Sequence, residues 1–276
     1  MAELSVESGG VTLAGEEAGE GIPVVLLHGL TATRRYVVMG SRALERDGHR
    51  VIAYDARGHG ASSPAPDPDA YDYDDLVTDL EAVLDDRGIE RAVVAGASMG
   101  GHTALRLAVD APERVAGLVV ITPAFDPDAP DDADLERWDR LSEGLRTGGA
   151  DGFVEAYGEP PVPEQWKATI DKVLRQRLSA HEHPEAVADA LRAVPRSRPF
   201  RSWEELEAID VPVVVVASRD EADPGHPFAV GAAYGERIPG ARLRSEERGS
   251  SPLAWQGGRL SKVIAELARE AAPAAP

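Results

Sequence analysis

The chain has 276 residues, enough for one large domain or two small ones, and 43% hydrophobic residues can bury a substantial core. Acidic residues outnumber basic ones 48 to 29, and the resulting charge of −19 repels phosphate backbones and anionic lipid, so a small-molecule substrate is expected rather than nucleic acid or a membrane. There is no cysteine, which excludes disulfides, thiolate nucleophiles and Cys-ligated metal.

The N-terminal MAELSVESGG has no positive leader, and no stretch approaches the ~18 to 20 apolar residues of a transmembrane helix. A cytoplasmic protein without metal or cofactor is the expectation. Oligomeric state is not written in the sequence.

In chain order, Leu4 to Leu13, interrupted by Gly9-Gly10, predicts an antiparallel hairpin. The apolar run from Ile22 to Leu27 ends at His28-Gly29, as for a strand buried on both faces. Next come an expected helix from Thr33 to Asp47, a strand from Arg50 to Tyr54 and an acidic helix from Tyr73 to Arg87, stopped by Gly88. Arg91 to Ala97, Met99 to Val109 and Val115 to Thr122 predict strand, helix and strand. Such alternation implies crossover units: an α/β class with a doubly wound, mostly parallel sheet.

After Pro123 the alternation stops, and Asp131 to Gly148, Gly152 to Tyr157, Glu164 to Ala180 and Pro184 to Ala193 all read as helices. The β pattern resumes at Val211 to Val216. A helix near Phe228 to Ile238, a short strand near Ala241 to Ser245 and a helix from Arg259 to Glu270 complete it.

Gly96-Ala97-Ser98-Met99-Gly100 joins a β-branched strand to a helix, and small residues two before and two after the serine permit a sharp turn that lifts its hydroxyl above the sheet. His28-Gly29-Leu30-Thr31 ends an earlier strand, where a loop N–H can join the one after Ser98 to bind an oxyanion. With Asp55-Ala56-Arg57-Gly58-His59-Gly60-Ala61-Ser62 between them, these marks resemble the α/β-hydrolase superfamily over essentially the whole chain.

The resemblance implies a single domain over 1–276 with a helical cap inserted at 124–205. It implies Ser98 as nucleophile, Leu30 and Met99 as the oxyanion hole, and structural roles for His28 and His59. The acid belongs just past a late strand, where Ser218-Arg219-Asp220-Glu221-Ala222-Asp223-Pro224 offers Asp220 as first choice and Asp223 as alternate.

The family's usual histidine has no counterpart: Ser250 stands at its expected place, and no histidine follows His226. A serine hydroxyl needs an adjacent base, and His226, a few residues beyond Asp220, is the candidate nearest to the acid. Two readings follow. One is a serine hydrolase acting on an ester or similar acyl substrate with His226 as relocated base; the other is a non-hydrolytic protein on the same fold, either a ligand-binding pseudoenzyme or a cofactor-free lyase or isomerase. Arg34 and Arg35, just past the oxyanion loop, and Arg192, Arg196, Arg198 and Arg201 are candidates for holding an anionic substrate.

Overall fold

The computed structural model describes residues 2–130, 135–220, 222–247, 255 and 257–272. Its strands are β1 (Ala2–Ser8), β2 (Val11–Ala18), β3 (Ile22–Leu27), β4 (His49–Tyr54), β5 (Ala92–Ala97), β6 (Val115–Ile121), β7 (Val213–Val216) and β8 (Arg242–Arg244). They form one sheet in the order β1-β2-β4-β3-β5-β6-β7-β8, antiparallel at β1, β2 and β4 and parallel from β4 onward. Gly9 and Gly10, both at positive φ, make the two-residue hairpin turn of β1 and β2.

Alternate residues of each strand feed opposite faces. Val25, Leu27 and Val94 pack under α2 (Tyr73–Asp86) and α3 (Met99–Asp110), whereas Val24, Leu26 and Val93 pack against α8 (Gly258–Ala271). The strand order reverses between β3 and β5, so the loops leaving their carboxyl ends face each other across the crevice where open α/β sheets bind ligands.

The expected helix over Thr33 to Asp47 does not form as one element. A 3-10 turn (Arg34–Tyr36) and the short α1 (Ala43–Arg46) replace it, because Met39 and Gly40 between them adopt positive φ and break the helical path.

Among the described residues three α-helices intervene between β6 and β7: α4 (Leu135–Tyr157), α5 (Glu164–Leu178) and α6 (Pro184–Ala193). α4 is two helical segments meeting at Gly149, whose φ of 59 and ψ of −146 break the helix where the sequence pattern left a gap between two helices. One face of α6, through Val187, Ala188 and Leu191, packs on α4, and the other, through Ala186 and Ala190, packs on Met99 and Tyr71. The insertion therefore rests directly on the turn that carries Ser98. The remaining helix, α7 (Phe228–Arg237), follows the loop after β7.

Candidate active site

Ser98 ends β5 at φ 49 and ψ −115, a conformation L-residues rarely adopt, and is half-buried. The two flanking glycines explain how the turn closes. A Cβ at Gly96 would lie 2.2 Å from the carbonyl of Gly100, and one at Gly100 would lie 2.4 Å from the carbonyl oxygen of Leu27. The turn is pinned by Ser98 N–H donating to Ile121 and by His102 N–H donating to Ser98 C=O. Ser98 Oγ makes no capping bond to α3, which leaves it available to the crevice.

The loop after β3 lies against this serine: a Cβ on Gly29 would sit 3.5 Å from Ser98 Cβ. Its carbonyls are turned to the back, where Gly29 C=O accepts from Ala32 N–H and from His28 Nδ1, and Leu30 C=O lies 2.7 Å from His59 Nε2. The amides of Leu30 and Met99 donate to no backbone carbonyl among the described residues. Met99 also opens α3, whose dipole favours negative charge at that end.

The Asp55 to Ser62 stretch supports the loop rather than entering the crevice. Asp55, fully buried, accepts from Arg34 N–H at 2.8 Å, from the Arg34 guanidinium and from Ala61 N–H. Gly60 is obligatory, since a Cβ there would overlap the Asp55 carboxylate. Arg57 makes a two-pronged pair with buried Asp79 of α2, both contacts 2.8 Å.

Four histidines are held as buried anchors. His28 Nε2 accepts Ala56 N–H, and His102 Nε2 accepts Ala124 N–H while its Nδ1 lies 3.0 Å from Tyr73 OH. His181, from the loop between α5 and α6, accepts Gly60 N–H at Nδ1 and faces Thr31 C=O with Nε2, tying the insertion to the loop after β3. Burial, reinforced by a neighbouring ring, pushes His28, His102 and His181 down to about 3, so these rings are neutral. His59, with both ring nitrogens facing carbonyls, is also lowered by burial.

His226 stands apart from them on the loop between β7 and α7. Its Nδ1 lies 2.8 and 2.9 Å from the two carboxylate oxygens of Asp223. Burial pushes the Asp223 carboxyl up, but the His226 ring and the Arg177 guanidinium more than offset this and hold it below the usual carboxylate range. Asp220, the first choice from sequence, instead turns Oδ1 back onto Ala222 N–H of its own loop at 2.8 Å. The ring thus meets the alternate acid. His226 is also close enough to His102 for its charge to act on that ring, one helical turn from Ser98.

Ser250 lies outside the described residues. Glu246, four residues before it and buried, accepts from Ser218 Oγ, Arg219 N–H and Trp255 Nε1, and so clamps together the loops after β7 and β8. Sequence reasoning missed this residue, whose only signal was an acid just past the last strand.

The expected anion-binding arginines are not gathered around Ser98. Arg34 is engaged by Asp55, and Arg34 and Arg35 line a cavity of about 360 Å³ with Glu16, Ser41, Arg42 and Glu45. Arg196 pairs with Asp139, and Arg198 donates to Pro127 C=O. Among the described residues no group of three or more histidines and carboxylates could hold a metal ion, and no helix is long and apolar enough to cross a membrane.

A strand-to-helix turn with its serine at positive φ, facing an amide-bearing loop at the switch point of a mostly parallel sheet, agrees with the match of residues 22–211 to the alpha/beta hydrolase fold family. The chain belongs to that family, and its class of activity is hydrolytic. It is 32% identical over 204 residues to a Variovorax paradoxus protein named as a carbamate hydrolase, RutD, covering 74% of this chain and 75% of that one. A Pseudomonas savastanoi protein of the same name is 29% identical over 88% of this chain and 94% of its own. Among solved structures, a thermophilic esterase from Thermogutta terrifontis superposes with a TM-score of 0.79 at 27% identity, covering 98% and 99% of the two chains. Est816, described as an N-acyl homoserine lactone degrading enzyme, gives 0.74 at 27% identity over 97% and 99%. These relatives do not favour the non-hydrolytic alternative.

Proposed function

We propose that the protein is a serine hydrolase that cleaves a small ester or carbamate through an acyl-enzyme on Ser98. The observation that carries the reading is the positive-φ serine with the Gly29 loop packed against it. In the first step Ser98 Oγ attacks the acyl carbonyl and gives its proton to His226 Nε2. The Leu30 and Met99 amides receive the oxyanion, where preorganised donors are worth ~10²- to 10³-fold in rate.

Asp223 holds the His226 ring with Nδ1 protonated and stabilises its charge once formed. As the tetrahedral intermediate collapses, the bond to the leaving group breaks and His226 returns its proton to that group. Water then repeats the cycle on the acyl-enzyme, releasing the acid and Ser98. The α4 to α6 insertion serves as a cap over the crevice, and His181 joins it to the oxyanion loop.

A fluorophosphonate probe is expected to label the wild type at Ser98, and Ser98→Ala is expected to escape labelling and to lose at least ~10³-fold in turnover of an activated ester. Labelling at another residue, or none under conditions that label an ordinary esterase, defeats this reading.

A further inference from the structure

Arg177, in the last turn of α5, is the basic side chain of the insertion that reaches toward the acid–base pair. Its guanidinium carbon lies 5.2 Å from the centre of the Tyr36 ring, six residues past Leu30, and its charge acts on Asp223. Its Nε is buried and has no hydrogen-bond partner, and the side chain forms no ion pair among the described residues. Four other basic residues of the insertion differ: Arg146, Lys167, Arg175 and Arg196 each sit on a carboxylate.

A guanidinium does not discharge in a protein, and this half-buried side chain, its Nε sealed from solvent without a hydrogen-bond partner, spends none of its N–H groups on a carboxylate among the described residues. Asp223 neutralises that charge only in part: the two groups act on each other without forming an ion pair, and both carboxylate oxygens lie against His226 Nδ1. Tyr36 offers only its ring face, a weak partner for a charge. Burial works against the Arg177 charge, and Asp223 and Tyr36 only partly compensate. The position also fits a ligand. Four residues on, His181 touches Thr31 and Gly60, which sets this end of α5 above the oxyanion loop.

The geometry points to Arg177 as the residue that recognises a carboxylate on the substrate, making the preferred substrates anionic esters or related acyl compounds. This rests on the serine-hydrolase reading above. A planar guanidinium suits a carboxylate because its N–H groups can grip both oxygens. Recognition therefore falls to an arginine of the insertion, 142 residues beyond Arg35 in sequence.

The test uses two pairs of esters matched in leaving group or acyl group: mono-4-nitrophenyl adipate against 4-nitrophenyl hexanoate, and 4-acetoxybenzoate against phenyl acetate. The read-out is the ratio of kcat/KM for the anionic over the neutral ester, measured for wild type, Arg177→Lys and Arg177→Gln. In at least one pair Arg177→Gln should lower that ratio by about 10- to 100-fold, chiefly through KM, as expected for one charge-assisted contact, with Arg177→Lys in between. Rising salt should lower the wild-type ratio and leave that of Arg177→Gln flat.

Adipate binding to Ser98→Ala, followed by calorimetry and compared with the Ser98→Ala, Arg177→Gln double variant, gives a second measurement that needs no turnover. An unchanged ratio in both pairs, or equal adipate binding by the two proteins, overturns the assignment. Adipate binding lost with Arg177 in a protein that turns over none of the esters sustains the carboxylate site and sinks the hydrolase reading instead.

Discussion

His226 Nδ1 faces both oxygens of Asp223, so removing that carboxylate should leave the ring free to rotate and to take the wrong tautomer. Asp223→Asn is expected to lower kcat on an activated ester by at least ~10²-fold, the range for loss of an oriented general base. Asp220→Asn, which alters a carboxylate turned onto its own loop, should cost less than ~10-fold. The reverse order in steady-state kinetics would return the acid's role to Asp220. The sequence alone left this ambiguous, because both acids lie three residues apart in one loop past β7 and either satisfies the spacing. What separates them is the direction of a side chain. Arg177 was less legible still, since its approach to Tyr36 and Asp223 is set by how α5 docks, and no neighbour in sequence announces it.

The elements themselves were readable wherever a period or a punctuating residue was strong. β3 and β6 are rich in Val, Leu and Ile and β5 in Val and Ala, α2 begins at a reciprocal Asp72 and Asp75 capping box, and the β1 to β2 turn is Gly9-Gly10. The segment after the Gly29 loop misled because its apolar residues suit a helix, while Met39 and Gly40 at positive φ turn the chain. The non-helical Gly149 falls in the gap that the pattern left between two helices. The tie between α2 and the Asp55 to Ser62 turn is the Arg57 and Asp79 pair, with side chains 3% and 1% exposed. Asp79→Ala leaves a buried guanidinium with only Asp75 and the Ala70 carbonyl, and should destabilise the fold by roughly 3 to 5 kcal/mol in urea unfolding. Asp72→Ala at the start of the same helix should cost about 1 kcal/mol. Comparable losses for the two would mean that the buried pair contributes little to holding α2.

For the whole molecule, the buried histidines set a response to acid. His28, His102 and His181 are each lowered from 6.5 to about 3, burial being the main cause, and each uses a ring nitrogen to accept a backbone amide around the crevice. Between those two pH values the unfolded chain binds a proton at each ring that the folded chain refuses. Stability is therefore undiminished above about 6.5, falls as the pH drops below it, and stops falling on this account below about 3. Each ring contributes a slope of about 1.4 kcal/mol per pH unit, so the three together approach about 4 kcal/mol per unit near pH 5. A domain stable by 5–15 kcal/mol should then unfold within a few units of neutrality. Depressed carboxylates such as Asp223 add to the loss only at lower pH, as the medium approaches their own range. Urea unfolding at a series of pH values should give a proton uptake on unfolding from these rings of about 1.5 near pH 6.5, rising toward three by pH 4.5. His102→Gln, which removes one such ring, should lower that uptake by about one near pH 4.5. An uptake below one across this interval would mean that the rings are protonated in the folded protein, which is incompatible with their roles as acceptors for the Ala56, Ala124 and Gly60 amides.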